Sequence, residues 1–362
     1  MRFGHMHIGI IGLPSSGKTL VFQTLTQSER PGTRAGGKAE TRVVTVPDQR
    51  LDTLATMYSP RKVTPATIEF VDPQVIGQTG TQYVESLLPI MRDADALVHV
   101  VRAFDNPAVP HPAGSVDAVR DYRQLNSELL LADLGVVERR IERLSKDLRK
   151  MKDAALADEH AMLLRCQEAL ENEQPIRQLA FSEDEQKRLR GFGLLSSKAQ
   201  LVGLNLDENA IANECEQLAQ FQAAIDDPAL EVIPIYGSIE SEIAQLPADE
   251  AEVFLEDLGL QQTGLDRFIQ ASYHLLNLCS FFTAGEKEVR AWTITRGFSA
   301  QQAAGVIHSD LAHGFIRAEV THYDDLTTAG SMAKARDAGK LRLEGKEYPV
   351  KDGDVMLIRF NV

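Results

Sequence analysis

The chain has 362 residues, 43% hydrophobic and 25% charged, with 52 acidic against 38 basic side chains and a formal net charge of −14. That length predicts two or three domains with real cores, and the ordinary composition excludes a disordered or fibrous chain. The acidic balance excludes a global attraction for phosphate backbones and argues against sequence-specific DNA binding, so any nucleic-acid contact must come from a local patch.

No apolar run reaches 18 residues, no signal-like apolar stretch opens the chain, and Cys166, Cys215 and Cys279 form no CxxC pair. A protein without a membrane span or disulfide scaffold, in the reducing cytoplasm, is expected. Charge is uneven along the chain. Residues 278–362 hold 11 basic and 11 acidic side chains, so residues 1–277 carry the whole excess, 27 against 41. A C-terminal module with its own surface follows.

Short runs rich in Val, Ile and Leu at 7–11, 66–71, 96–101, 200–204 and 232–236 predict strands buried on both faces. Helical stretches separate them, which predicts βαβ units and an α/β fold, a doubly wound, mostly parallel sheet. After the first strand comes Gly12-Leu13-Pro14-Ser15-Ser16-Gly17-Lys18-Thr19, then a predicted helix over 19–26. This is the G-x-x-x-x-G-K-[ST] phosphate loop in the strand–loop–helix setting its mechanism needs. The glycines let successive backbone N–H groups face phosphate oxygens, and the helix N-terminus adds its positive dipole end. Gly12, Pro14, Ser15, Ser16, Gly17, Lys18, Thr19 and Leu20 are the expected contacts. Lys18 would reach the β- and γ-phosphates and the Thr19 hydroxyl would bind Mg²⁺. The strand at 66–71 runs into Asp72, a candidate contact to the hydrated ion, although an Asp before Pro73 also suits a turn cap.

From Leu130 through Leu134, Val137, Ile141, Leu144, Leu148 and Met151 the apolar positions step by 4 and 3, a three-heptad seam. A second helical stretch after Asp153 carries Leu156, Leu163, Cys166 and Leu170. Residues 128–178 therefore predict an antiparallel helical coiled-coil arm inserted in the α/β domain. Asn205-Leu206-Asp207-Glu208 follows the next strand, at the place where G domains carry N-K-x-D to pair with guanine. Leu206 stands for the Lys and the longer Glu208 for the Asp, which predicts weakened guanine selectivity. Beyond residue 278, alternation at 288–294, a Ser299-capped helix to His308, strands at 314–322 and 355–360, and turns at 341–346 and 351–354 predict a β-grasp-like sheet with one crossing helix. Lys287, Arg290, Arg296, Arg317, Lys340, Arg342, Lys346 and Arg359 are candidates for an RNA-facing patch there, and solvated strand faces explain them equally well.

With these motifs in place the chain resembles the YchF family, in the Obg-related branch of translation-factor GTPases. The likeness spans nearly the whole sequence. It rests on Val46-Pro47-Asp48-Gln49-Arg50-Leu51-Asp52, on His99-Val100-Val101-Arg102, and most densely on Phe282-Thr283-Ala284-Gly285-Glu286-Lys287-Glu288-Val289-Arg290-Ala291-Trp292-Thr293-Ile294 and Asp352-Gly353-Asp354-Val355-Met356. The resemblance implies a nucleotide-binding G domain over 1–127 and 179–277, the arm over 128–178 and a closing TGS domain over 278–362. It also implies ATP accepted at least as well as GTP through Asn205, Leu206 and Glu208, with Tyr236-Gly237 as a further nucleotide-contacting loop. His111 matches a family histidine proposed to assist hydrolysis, although a lone His beside Pro110 and Pro112 otherwise reads as a surface residue, and the ribosome or its RNA is the expected partner.

Departures from the family pattern fall in the switches. Asp72 is followed by Pro73-Gln74-Val75 where the family has Ala-Gly. Ala35-Gly36 stands where it has Cys-Thr, and Ala103 where a Cys is common. Nucleotide binding is expected to survive these changes, with altered γ-phosphate sensing and no redox control by those thiols. Two functions stay open: an ATPase, slow alone and stimulated by a partner, or a nucleotide-occupied scaffold that docks on ribosome or RNA with little hydrolysis.

Overall fold

The computed structural model of the chain describes residues 6–27, 39–73, 80–227 and 229–361. Its strands are β1 (His7–Ile11), β2 (Glu40–Thr45), β3 (Val63–Thr64), β4 (Thr67–Asp72), β5 (Ala96–Ala103), β6 (Ala199–Leu206), β7 (Glu231–Ile235), β8 (Leu278–Ala284), β9 (Val289–Thr295), β10 (Phe315–His322), β11 (Arg342–Glu344) and β12 (Asp354–Phe360). The helices that bear on the site are α1 (Lys18–Thr26), α2 (Gln49–Tyr58), α3 (Gly80–Met91), α4 (Ala118–Leu148), α5 (Ala154–Glu171), α6 (Glu183–Arg190), α7 (Glu214–Ile225) and α8 (Gly237–Ile243).

One sheet runs in the order β2-β4-β1-β5-β6-β7. Its members β4, β1, β5, β6 and β7 pair in parallel, and helices connect β4 to β5, β5 to β6 and β6 to β7. Ile8, Ile10, Val98, Val100, Leu201 and Val202 are all fully buried, the reason these strands read as unbroken apolar runs. The strand expected at 7–11 forms at those residues, and the other four shift or extend by one or two. β2, β3 and β8 were not anticipated. β2 buries only Val44 of its six residues, and β3 has two residues, so neither leaves an apolar period to detect.

The chain divides into two compact units, one of residues 43–68 with 269–362, the other of 6–42 with 69–268. In the first, a second sheet runs β11-β10-β12-β8-β9-β3, with β3 supplied by the N-terminal segment and paired in parallel with β9. Arg50, at the start of α2, binds Asp48 beside it at 2.8 Å and Asp352 at 3.0 Å, and its guanidinium covers the Phe282 ring at 5.2 Å. Residues 302 apart are joined in this way. Residues 341–346, expected to turn, instead place Arg342–Glu344 as a short strand on β10, and helices at Ser309–His313, Tyr323–Ala329 and Met332–Asp337 join the expected Ala300–Ile307.

In the second unit, α4 and α5 form an antiparallel pair joined by residues 149–153, with Asp153 capping α5 through Ala155 and Leu156 N–H groups. Leu130, Val137, Leu144, Leu163, Cys166 and Leu170 interlock between them, while the last predicted seam residue, Met151, is 54% exposed. α4 begins ten residues before the expected start of the arm. Its first turns use a different face, packing Tyr122, Leu125 and Leu129 on the sheet, so they fall outside the heptad count. Truncating Leu144, which is fully buried, should cost about 2–5 kcal/mol in chemical denaturation. Met151→Ala should cost less than about 0.5 kcal/mol, and equal losses at both positions would deny that the seam ends before residue 151.

Candidate functional site

The loop after β1 is shaped by residues that no side chain could replace. A Cβ on Gly12 would lie 2.5 Å from the Val100 carbonyl oxygen, and one on Gly17 would lie 2.3 Å from Asn205 Nδ2. Gly17 also has φ 91°, and Ser15 has φ 65°, so the chain curls through left-handed backbone twice. The Tyr83 hydroxyl donates to the Gly12 carbonyl at 2.7 Å and pins the start of the loop. Gly17 caps α1 with no side-chain hydrogen bond, which leaves the first-turn N–H groups to an anion.

Lys18 opens α1 and is only 9% exposed. Burial holds its ammonium pKa below the usual lysine range, and the charge of Asp72 works in the opposite direction. The buried Asp72 carboxylate closes β4, so the structure brings the predicted cation and anion into one electrostatic neighbourhood. Thr19 and Leu20 lie exposed on the first turn. Among the described residues, no group of three or more His, Cys, Asp or Glu side chains gathers to hold a metal. The Thr19 hydroxyl and Asp72 carboxylate are oxygen donors that suit Mg²⁺ as part of a set completed by phosphate and water.

Asn205, at the C-terminal end of β6, ties the loops together. Its Nδ2 donates to the Ser16 carbonyl at 3.0 Å and its Oδ1 accepts from Gly237 N–H at 3.1 Å. Tyr236 and Gly237 are thereby brought to the edge of the phosphate loop. Tyr236 is anchored from outside: its hydroxyl donates to Glu214, which also takes two N–H bonds from Arg267 at 3.0 and 3.1 Å. Leu206 is buried in the core beside Tyr236 and Ile239, whereas Glu208 is exposed at the head of a short 3-10 helix.

His111, on the loop between β5 and α4, is not a surface histidine: its side chain is 7% exposed. Together with Leu13, Pro14, Ser16, His99, Arg102 and Asp121 it lines a cavity of about 10 Å³. The fully buried Arg102 spans this wall, donating to the carbonyls of Ser15 at 3.4 Å, Phe104 at 3.1 Å and Val109 at 2.7 Å. The local sequence assigns Arg102, Tyr83, Glu214 and Arg267 no role. A lone arginine ending an apolar strand is the one local signal among them, and the partners of the others lie too far away in sequence to suggest them. The switch residues Ala35, Gly36, Gln74, Val75 and Ile76 lie outside the described residues.

Comparisons with known proteins agree along the chain. The family model described as YchF-GTPase_C, protein of unknown function (DUF933), matches residues 278–361. Curated relatives named ribosome-binding ATPase YchF include those of Bacillus subtilis, 43% identical, and Escherichia coli, 40% identical, each alignment covering 98% of this chain and 99% of the relative. The solved structure of the Schizosaccharomyces pombe YchF GTPase superposes with a TM-score of 0.86 at 31% identity, covering 99% of both chains.

Glu240 on α8, just beyond Gly237, yields a pH test. Burial pushes its carboxyl up from 4.5 to about 7, although the Gly264 and Leu265 N–H groups favour the anion. A raised carboxyl pKa means that its stabilisation is complete below about pH 4.5 and is lost as pH rises through about 7. Glu240→Gln keeps the acceptor for Gly264 N–H and removes the titration. Its melting temperature relative to wild type should therefore rise between about pH 5 and about pH 8, and a constant difference would refute the burial argument.

Proposed function

The chain belongs to the YchF family and is a nucleoside triphosphatase; from that premise we propose a Mg²⁺-dependent ATPase that also accepts GTP, turns over slowly alone, and is stimulated on docking to the ribosome in the cytoplasm. The observation that carries this reading is the phosphate loop of Gly12–Thr19 with Lys18 buried near Asp72 and Asn205 bridging to Gly237. Lys18 and the loop amides neutralise the polyphosphate and hold it in line. Thr19 and Asp72 would hold Mg²⁺, which supplies charge neutralisation on the β- and γ-phosphate oxygens when bound.

Pro14, Ser15, Ser16 and Leu20 complete the phosphate side, and Asn205, Leu206, Glu208, Tyr236 and Gly237 the base side. A guanine base asks for one carboxylate set to accept from both N1–H and the N2 amine. Glu208 is longer than the Asp that does this and stands exposed, which supports ATP as the favoured substrate. His111 is the candidate to orient water, supported by the cavity it shares with the phosphate loop. The domains in this reading are a nucleotide-binding domain over 1–127 and 179–277, a coiled-coil arm over 128–178 and a TGS domain over 278–362.

Ribosomal RNA is the proposed docking surface, through a local basic patch. In the C-terminal set Arg359 is spent on Glu319 at 2.9 Å and Arg342 on Glu344 at 3.1 Å, so part of that patch is neutralised internally. Where the arm meets α6, Arg139, Arg140 and Arg143 of α4 and Arg188 of α6 line a concavity of about 500 Å³ with Glu159, Val136 and Phe192. Arg140 is itself spent on Glu159 at 2.7 Å, so Arg139, Arg143 and Arg188 are the guanidinium groups that suit phosphate oxygens despite the acidic chain. Arg139→Glu with Arg143→Glu should lower ribosome co-sedimentation and flatten its salt dependence, leaving ATP affinity unchanged. Retained co-sedimentation with the original salt slope would move the contact elsewhere.

A scaffold that hydrolyses little is the second reading, favoured by His111 having both ring nitrogens already engaged. Single-turnover hydrolysis with ATP and Mg²⁺, with and without ribosomes, separates the two. An ATPase exceeds the Lys18→Ala variant under at least the ribosome condition, and a rate equal to that variant in both selects the scaffold. In competition, ATP should displace GTP at equal or lower concentration. GTP winning by about tenfold, about 1.4 kcal/mol, would overturn the role given to Glu208.

A further inference from the structure

His111 sits in a loop that the first turn of α4 holds at two points. Its Nδ1 accepts the Ala113 N–H at 3.1 Å, so the proton of the neutral ring lies on Nε2, which donates to Asp121 Oδ2 at 2.7 Å. The other Asp121 oxygen takes two N–H bonds from Arg120, at 2.9 and 2.8 Å. Arg120 in turn donates to the Ser115 carbonyl at 2.7 Å and to the Ser115 hydroxyl at 3.1 Å. Both bonds pull the same loop onto α4. An imidazole in this state has no nitrogen left to take a proton from water or to give one to a phosphate oxygen.

We propose that Asp121 is the positioning residue of His111 and that their contact is a latch: it parks the imidazole beside the phosphate loop, and hydrolysis requires the pair to part. The inference rests on the reading of His111 as the group that orients water. Asp121 is 4% exposed and belongs to a continuous helix, so it does not swing away alone. What releases it is a small displacement of the first turn of α4. That helix runs unbroken for 31 residues, about 45 Å, from the latch to the far end of the arm. A partner that grips the arm therefore has a rigid element on which to act, and the reaction it stimulates is gated at the near end.

A merely structural Asp121, one that complements the N-terminal dipole of α4, predicts lost stability with no gain in turnover. Steady-state hydrolysis of ATP with Mg²⁺ by the full chain distinguishes the two. Asp121→Ala should raise basal kcat about tenfold with KM for ATP nearly constant, because the fraction of rings free to act rises. The double variant His111→Ala/Asp121→Ala should fall to the level of His111→Ala. Arg120→Gln, which leaves Asp121 in place and alters a more exposed side chain, should move kcat in the same direction by less, and keeps the test open if Asp121→Ala does not fold. A kcat unchanged or reduced in folded Asp121→Ala or Arg120→Gln, with His111→Ala impaired, overturns the latch while the role of His111 stands. Wild-type kcat in His111→Ala removes that role, and the latch with it.

Discussion

The candidate nucleotide site depends on one carboxamide. Asn205 gives a hydrogen bond to the Ser16 carbonyl and takes one from Gly237 N–H, so two loops from the ends of β1 and β7 are spaced by a single buried side chain on β6. Each such bond contributes about 1 kcal/mol net, and a buried partner left without one costs about 1–3 kcal/mol. The same side chain lies where a Cβ on Gly17 would be. The glycine at the mouth of α1 is thus required twice, by its left-handed backbone and by the amide packed against it. The phosphate loop and the Tyr236–Gly237 loop are spaced together, and the parallel order β1-β5-β6-β7 makes that possible by bringing their C-terminal ends to one edge.

Between those loops the end of β5 works as a pillar. Arg102 is a buried cation whose charge is distributed over three backbone carbonyls, on the phosphate loop and on the segment that leads to His111. His99, three residues earlier, is wholly buried against Tyr122, and its pKa is pulled down to about 3, chiefly by burial. It therefore stays neutral at physiological pH and acts as packing. The chain leaves β5 through the His111 loop and enters α4, which carries the arm. The His111 loop and α4 are consecutive in sequence and share hydrogen bonds, so the loop is mechanically connected to the arm through one helix.

The phosphate loop was legible because its chemistry is local: eight consecutive residues contain the glycines, the ammonium and the hydroxyl, flanked by a strand and a helix. The arm was legible from Leu130 to Leu148 because a repeat of 3.5 residues survives in sequence, but its first turns were not. Tyr122, Leu125 and Leu129 obey the geometry of the sheet beneath them, a different face of the same helix. β2 and β3 were missed for the complementary reason. An edge strand with one buried residue and a two-residue strand carry no period. The Arg50–Asp352 tie was invisible, since a surface arginine next to an aspartate gives no hint of a second carboxylate 302 residues away.

Residue order alone determined the class of fold, the anionic ligand and the kinship, because strand burial, helix period and backbone-curling glycines are properties of short segments. It did not determine which polar side chains meet. Whether His111 is a solvated loop residue or a buried, doubly bonded ring, and whether Arg102 is surface charge or internal prop, depends on what folding packs around them. Only the tertiary structure decided those points, since hydrogen bonding and burial are set by distance in space, which the spacing of letters does not encode.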